Sequence, residues 1–146
     1  MLKIVTFREP GSEILFRPTQ KIQDFDQELQ DFAKNMEEVL ISHDGLGLAA
    51  PQVNRPNAIC VIRNGKKVQA FCNPKIVQCS GEQEKMEEGC LSFPNIFLDV
   101  VRPREVEVSY QDITGAPKKI KAAGILARTL QHEIDHLNGI SFIERA

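Results

Sequence analysis

Residues 124–139 read GILARTLQHEIDHLNG, and within this stretch Leu126, Leu130, Ile134 and Leu137 recur at spacings of three and four. That period gathers them on one stripe of a helix expected over about 125–138, with Gly139 as its C-terminal stop. At about 100° per residue, His132 and His136 fall one turn apart on a single face, so both imidazoles reach one ion. Glu133 projects beside that face, where it can exchange protons with water without being a ligand. The ordinary alternative is an exposed amphipathic helix whose histidines merely cap or pair. Two of the three histidines in the chain fall here, however, and the apolar flanks imply a largely buried helix. Buried imidazoles and a buried carboxylate are costly unless paired or metal-bound. The pattern therefore predicts a mononuclear metal site with hydrolytic chemistry.

A catalytic site of this type takes three protein ligands and leaves a position for water. One protease pattern runs on to a third histidine as H-E-x-x-H-x-x-G-x-x-H. This chain keeps Gly139 but carries Phe142 at the third position, and Glu144 is the sole acid after His136. A third ligand is therefore expected upstream, among His43, the four cysteines and the carboxylates. Cys90 is the best candidate. It lies in Glu88-Gly89-Cys90-Leu91-Ser92, where glycine permits close backbone approach and a thiolate suits zinc or ferrous iron. Cys60, Cys72 and Cys79 sit in or beside expected strands and read as small buried hydrophobes. His43 closes the first helix, where a cation suits the helix dipole.

Outward from the metal helix, Phe25, Leu29, Phe32, Met36, Val39 and Leu40 predict an N-terminal helix, with Asp24 as its cap and Gly45 as its stop. The β-forming run 57–63, the turn Asn64-Gly65 and the run 66–72 predict a hairpin. A second antiparallel pair is expected from 106–110 and 118–122 across a turn at 112–115. The expected fold class is α+β: short antiparallel sheets packed around a central metal-binding helix near the C-terminus, with an N-terminal helix.

The 146 residues, with 42% hydrophobic and 26% charged side chains, are expected to form a single domain over 1–146 with an ordinary core. Eighteen basic against twenty acidic side chains give a net charge of -2, which offers no basis for nucleic-acid or membrane-surface binding. No apolar run reaches the roughly 18 residues of a membrane span. The four cysteines form no C-x-x-C pair, so a reducing, cytoplasmic setting is expected.

Three stretches together resemble the motifs of peptide deformylases, in the same order: Gly45-Leu46-Gly47-Leu48-Ala49-Ala50-Pro51-Gln52, Glu88-Gly89-Cys90-Leu91-Ser92 and His132-Glu133-Ile134-Asp135-His136. The likeness extends to Ala123-Gly124 and Gln131. By itself, 45–52 reads as no more than a tight helix-to-strand turn. The resemblance implies removal of the formyl group from the N-terminal formyl-methionine of newly made proteins, with release of formate. It implies one divalent ion, Fe2+ with Zn2+ or Ni2+ as substitutes, held by Cys90, His132 and His136. Glu133 would be the acid/base, and Gln52 with the backbone N–H of Leu91 would receive the oxyanion.

The same similarity implies an extended N-formylmethionyl nascent peptide paired to Leu46, Gly47 and Gly89 as an added strand. Met86, Ile125 and Thr129 would then wall an apolar methionine pocket, with simple core packing the equal alternative for Met86 and Ile125. Ribosome contact, which the resemblance links to a further C-terminal helix past Ala146, stands in doubt. The short basic run Lys118, Lys119 and Lys121 reads as a solvated strand face.

Overall fold

Asn64 and Lys67 face one another across Gly65 (φ +67°) and Lys66, so the first hairpin turns one residue later than the expected Asn64-Gly65. The computed structural model describes residues 2–146. In chain order its elements are α1 (Gln27–Ser42), β1 (Gly47–Ala49), β2 (Ile59–Asn64), β3 (Lys67–Cys79), β4 (Gln83–Cys90), β5 (Phe93–Pro103), β6 (Glu105–Gln111), β7 (Pro117–Ala123), α2 (Gly124–Leu137) and α3 (Phe142–Arg145). Short 3-10 turns occupy Ser12–Phe16 and Ala50–Val53. The α+β class is as expected.

Five strands form one antiparallel sheet in the order β1-β2-β3-β6-β7, and β4 pairs with β5 in a separate hairpin. Side-chain alternation gives the sheet two apolar faces. Leu48, Ile59, Val61 and Cys72 pack with Leu29, Ala33, Met36, Val39 and Leu40 of α1. On the other face, Ala49, Cys60, Ile62, Phe71, Val106, Val108 and Ala122 pack with Ala127, Leu130, Ile134 and Leu137 of α2. The hairpin β4–β5 reaches α2 as well, through Glu88 and Arg102, and every residue from Ala127 to Leu137 is buried. On a helix covered on so many sides, a buried polar group without a partner is the exception that needs explaining.

Several expectations needed correction. Asp26, not Asp24, caps α1, accepting from the Leu29 N–H at 3.0 Å. The helix ends at Ser42 with His43 as its C-cap, ahead of Gly45. His43 Nδ1 lies 2.9 Å from the Val39 carbonyl, a local role as anticipated. Cys60 and Cys72 are buried, but Cys79 is exposed. Beyond Cys72, β3 has lost β2 as a neighbour and pairs only with β6, so its far end runs into solvent. The hairpin β4–β5 was not anticipated at all. Along β4, the face turned toward α2 carries Glu88 beside half-buried Met86, so no apolar alternation marks it as a strand.

Gly139 adopts φ +77°, directly after the C-cap Asn138, as its role as a helix stop requires. A Cβ there would also lie 2.8–2.9 Å from the backbone of Phe16 and Arg17. Gly139→Ala is therefore expected to destabilise the protein by about 1–3 kcal/mol, read as a lower midpoint in urea unfolding at unchanged m-value.

Candidate metal centre

One turn apart on α2, His132 and His136 point toward the end of β4. Strand β4 brings Cys90 to them because residues two apart on a strand share a face: Glu88 meets His132 and Cys90 meets His136. Cys90 Sγ lies 3.2 Å from His136 Nε2, and the ligand atoms of Cys90, His132 and His136 all fall within 4.8 Å of one another. The 2.8 Å bond between His132 Nδ1 and Glu88 Oε1 leaves Nε2 as the free nitrogen of that ring. One thiolate and two imidazoles, one of them oriented by a carboxylate, fit a divalent zinc- or iron-type ion. The two buried cysteines, Cys60 and Cys72, do not compete. Burial pushes the Cys60 thiol well up and the Cys72 thiol up to about 12, as befits inert core groups. Phe142, at the position of the third histidine in the longer protease pattern, is buried with its ring 5.6 Å from that of His132.

Glu133 is 4% exposed, and its Oε1 has no hydrogen-bond partner among the described residues. Burial raises its pKa to about 7, against the pull of His132. Gly47 lies against this carboxylate so closely that a Cβ would come within 2.6 Å of Oε2 and 2.9 Å of the Thr129 methyl. Gln52, in the 3-10 turn after β1, is 1% exposed. Its Oε1 accepts from the Ala49 N–H at 2.9 Å, which turns its Nε2 toward Ser92 Oγ at 3.2 Å and Cys90 Sγ at 3.5 Å. Leu91 is half-buried, with its side chain packed against the α1 cluster.

These groups open on a cavity of about 460 Å³. Its walls include Leu46, Gly47, Gly89, Met86, Ile125 and Thr129, so every residue expected at a substrate site borders it. Ile125 is 53% exposed and Met86 half-buried, which removes simple core packing as an account of Ile125. Gly89 lies at a break in the β4–β5 register, under the ring of Phe97, where a Cβ would come within 2.7 Å of the ring.

What the sequence did not disclose is the buried ionic cluster behind the histidines. Burial alone would push the Glu88 carboxyl up, but hydrogen bonds from His132 and Arg102 outweigh it and hold its pKa at about 2. Arg102 donates from Nε to Glu88 Oε2 at 2.6 Å and from Nη1 to Asp135 Oδ2 at 2.9 Å. Arg128 Nη1 adds a second donor to Glu88 Oε2 at 2.6 Å. The available signal was indirect: Arg128 and Asp135 lie on a helix expected to be buried, where charges need partners.

Known proteins share this fold. The family model described as polypeptide deformylase matches residues 1–146. A peptide deformylase of Picosynechococcus is 43% identical over 140 residues, spanning 92% of this chain and 75% of that protein. The crystal structure of a peptide deformylase from Synechococcus elongatus in complex with actinonin superposes with a TM-score of 0.94 at 41% identity, covering 99% of this chain and 78% of that one. The Thermotoga maritima peptide deformylase superposes with a TM-score of 0.95 at 38% identity, covering 99% and 97%. The helix that offers two imidazoles, the strand end that offers a thiol and the continuous match along the sequence lead to one conclusion: this chain belongs to the polypeptide deformylase family.

Proposed function

We propose that residues 1–146 act as one catalytic domain that removes the formyl group from the N-terminal formyl-methionine of nascent polypeptides in the cytoplasm, releasing formate. The observation that carries this reading is the convergence of Cys90, His132 and His136 within 4.8 Å, beside a buried Glu133 carboxylate on a 460 Å³ cavity. Cys90, His132 and His136 would hold one divalent ion, assigned as Fe2+ with Zn2+ or Ni2+ as substitutes. When bound, such an ion polarises a carbonyl and lowers the pKa of water toward about 7.

The residues of the chain supply the rest. Glu133 takes a proton from water as its oxygen attacks the formyl carbon, and gives it to the peptide nitrogen as the carbon–nitrogen bond breaks. A carboxyl poised near neutrality serves both transfers. Gln52 Nε2 and the Leu91 N–H donate to the oxygen of the tetrahedral species; each such donor is typically worth roughly 10²–10³ in rate. The bond from Ala49 fixes the Gln52 amide, so the donor is oriented before substrate arrives.

Strand addition accounts for how a peptide with varied sequence is held. Among the described residues, β1 pairs only with β2 and β4 only with β5, so each keeps a free edge, and residues of both border the cavity. Leu46, Gly47 and Gly89 would pair with the peptide backbone, independent of its side chains. Met86, Ile125 and Thr129 would receive the methionine.

Formate release from formyl-Met-Ala-Ser by anaerobically prepared, metal-loaded protein tests the reading, and full metal occupancy without turnover would defeat it. Cys90→Ala, His132→Ala and His136→Ala are each expected to lose metal, measured by atomic emission. Glu133→Ala should retain metal and lose turnover. A side chain at residue 47 would displace the Glu133 carboxylate, so Gly47→Ala is expected to lower kcat at least tenfold with metal content unchanged. X-ray absorption of protein purified without air identifies the ion.

A further inference from the structure

Helix α3 touches one candidate ligand and one member of the ionic cluster behind it. Phe142 lays its ring against His132, with 31° between the ring planes. Three residues on, Arg145 grips Asp135 with both ends of its fork, Nη2 to Oδ1 at 3.0 Å and Nε to Oδ2 at 3.1 Å. Asp135 Oδ2 also accepts from Arg102 Nη1 at 2.9 Å. The other nitrogens of Arg102 hold both oxygens of Glu88, Nε to Oε2 at 2.6 Å and Nη2 to Oε1 at 3.0 Å. That same Oε1 meets His132 Nδ1 at 2.8 Å. The Arg145–Asp135 and Arg102–Glu88 pairs are bidentate and fix angle as well as distance, and the single bond from Arg102 Nη1 to Asp135 joins them.

We propose that α3 is a positioning element for His132, with Arg145 acting on the metal site through Asp135, Arg102 and Glu88. The proposal rests on the reading of Cys90, His132 and His136 as the ligands. Arg145 is 48% exposed at its side chain, and a pair that solvent reaches so freely adds little to overall stability. Its effect is on orientation: it holds Asp135 square to Arg102, which in turn fixes the carboxylate that orients the imidazole. Glu88 has a second anchor in Arg128, itself held by the carbonyls of Val100 and Glu84. Loss of Arg145 therefore loosens the relay without dissolving it, and its effect is smaller than that of Glu88.

The test uses Co2+ as a probe in the full chain, reading the dissociation constant by chelator competition and the visible thiolate and d–d bands. Wild type is expected to bind one ion with a thiolate band. Arg145→Ala should weaken binding about tenfold and shift the d–d bands, at the low end of the roughly 10–100-fold range for groups that orient ligands, with Glu88→Gln at the high end. Arg145→Lys, which keeps the charge but loses the fork, should fall between wild type and alanine. Unchanged affinity and bands in Arg145→Ala would overturn the proposal. So would a lower Tm of the metal-free protein with both readouts unmoved, because α3 would then be only a fastening. Cobalt binding by wild type without a thiolate band would instead defeat the ligand assignment itself.

Discussion

Glu88 is a carboxylate taken out of water and met by an imidazole and two guanidinium groups, and it is the centre of the buried cluster that fastens the β4–β5 hairpin to α2. Desolvating such charges costs several kcal/mol per ion, so the cluster is weak support for stability but strong support for a single arrangement. Removing one partner leaves the others buried and uncompensated. Cys90 follows Glu88 by two residues on the same strand face. Seating Glu88 on His132 therefore carries the thiol to His136, and the metal site is a by-product of how the hairpin docks.

The position of α2 follows from the same constraint. Its apolar stripe rests on the five-stranded sheet, and its polar groups turn toward the hairpin, so polar and apolar demands are met on different sides of one helix. Exclusion of water then strengthens every charge interaction around the histidines. Burial leaves Glu133 poised near neutrality while the partners of Glu88 keep it ionised. Two carboxylates beside His132, one bonded to its ring and one next to it in sequence, thus differ in charge state, because one is ringed by donors and the other has an oxygen with none.

Much of this was legible in the sequence where the signal was local. The helix that holds the histidines ends within a residue or so of its expected bounds, because its period and Gly139 are read from adjacent residues. The hairpins around Gly65 and Gly115 were likewise set by turn chemistry, with the first displaced by one residue. Strands β4 and β5 escaped notice because Glu88 and Arg102 occupy core positions and break the alternation that marks a strand. Charged residues stand where the pattern calls for apolar ones.

By itself the sequence determined that two imidazoles share a face with a carboxylate beside them, because helical period is a property of neighbouring residues. It also singled out Cys90 as the third donor through its setting in Glu88-Gly89-Cys90. Only the tertiary structure decided that Glu88 orients His132 across 44 residues of chain, that Arg102, Asp135 and Arg145 extend the cluster to the last helix, and that Gly47 lies against Glu133. Such contacts depend on how separate elements approach one another, and that approach is set by the packing of the whole core rather than by any local run of residues.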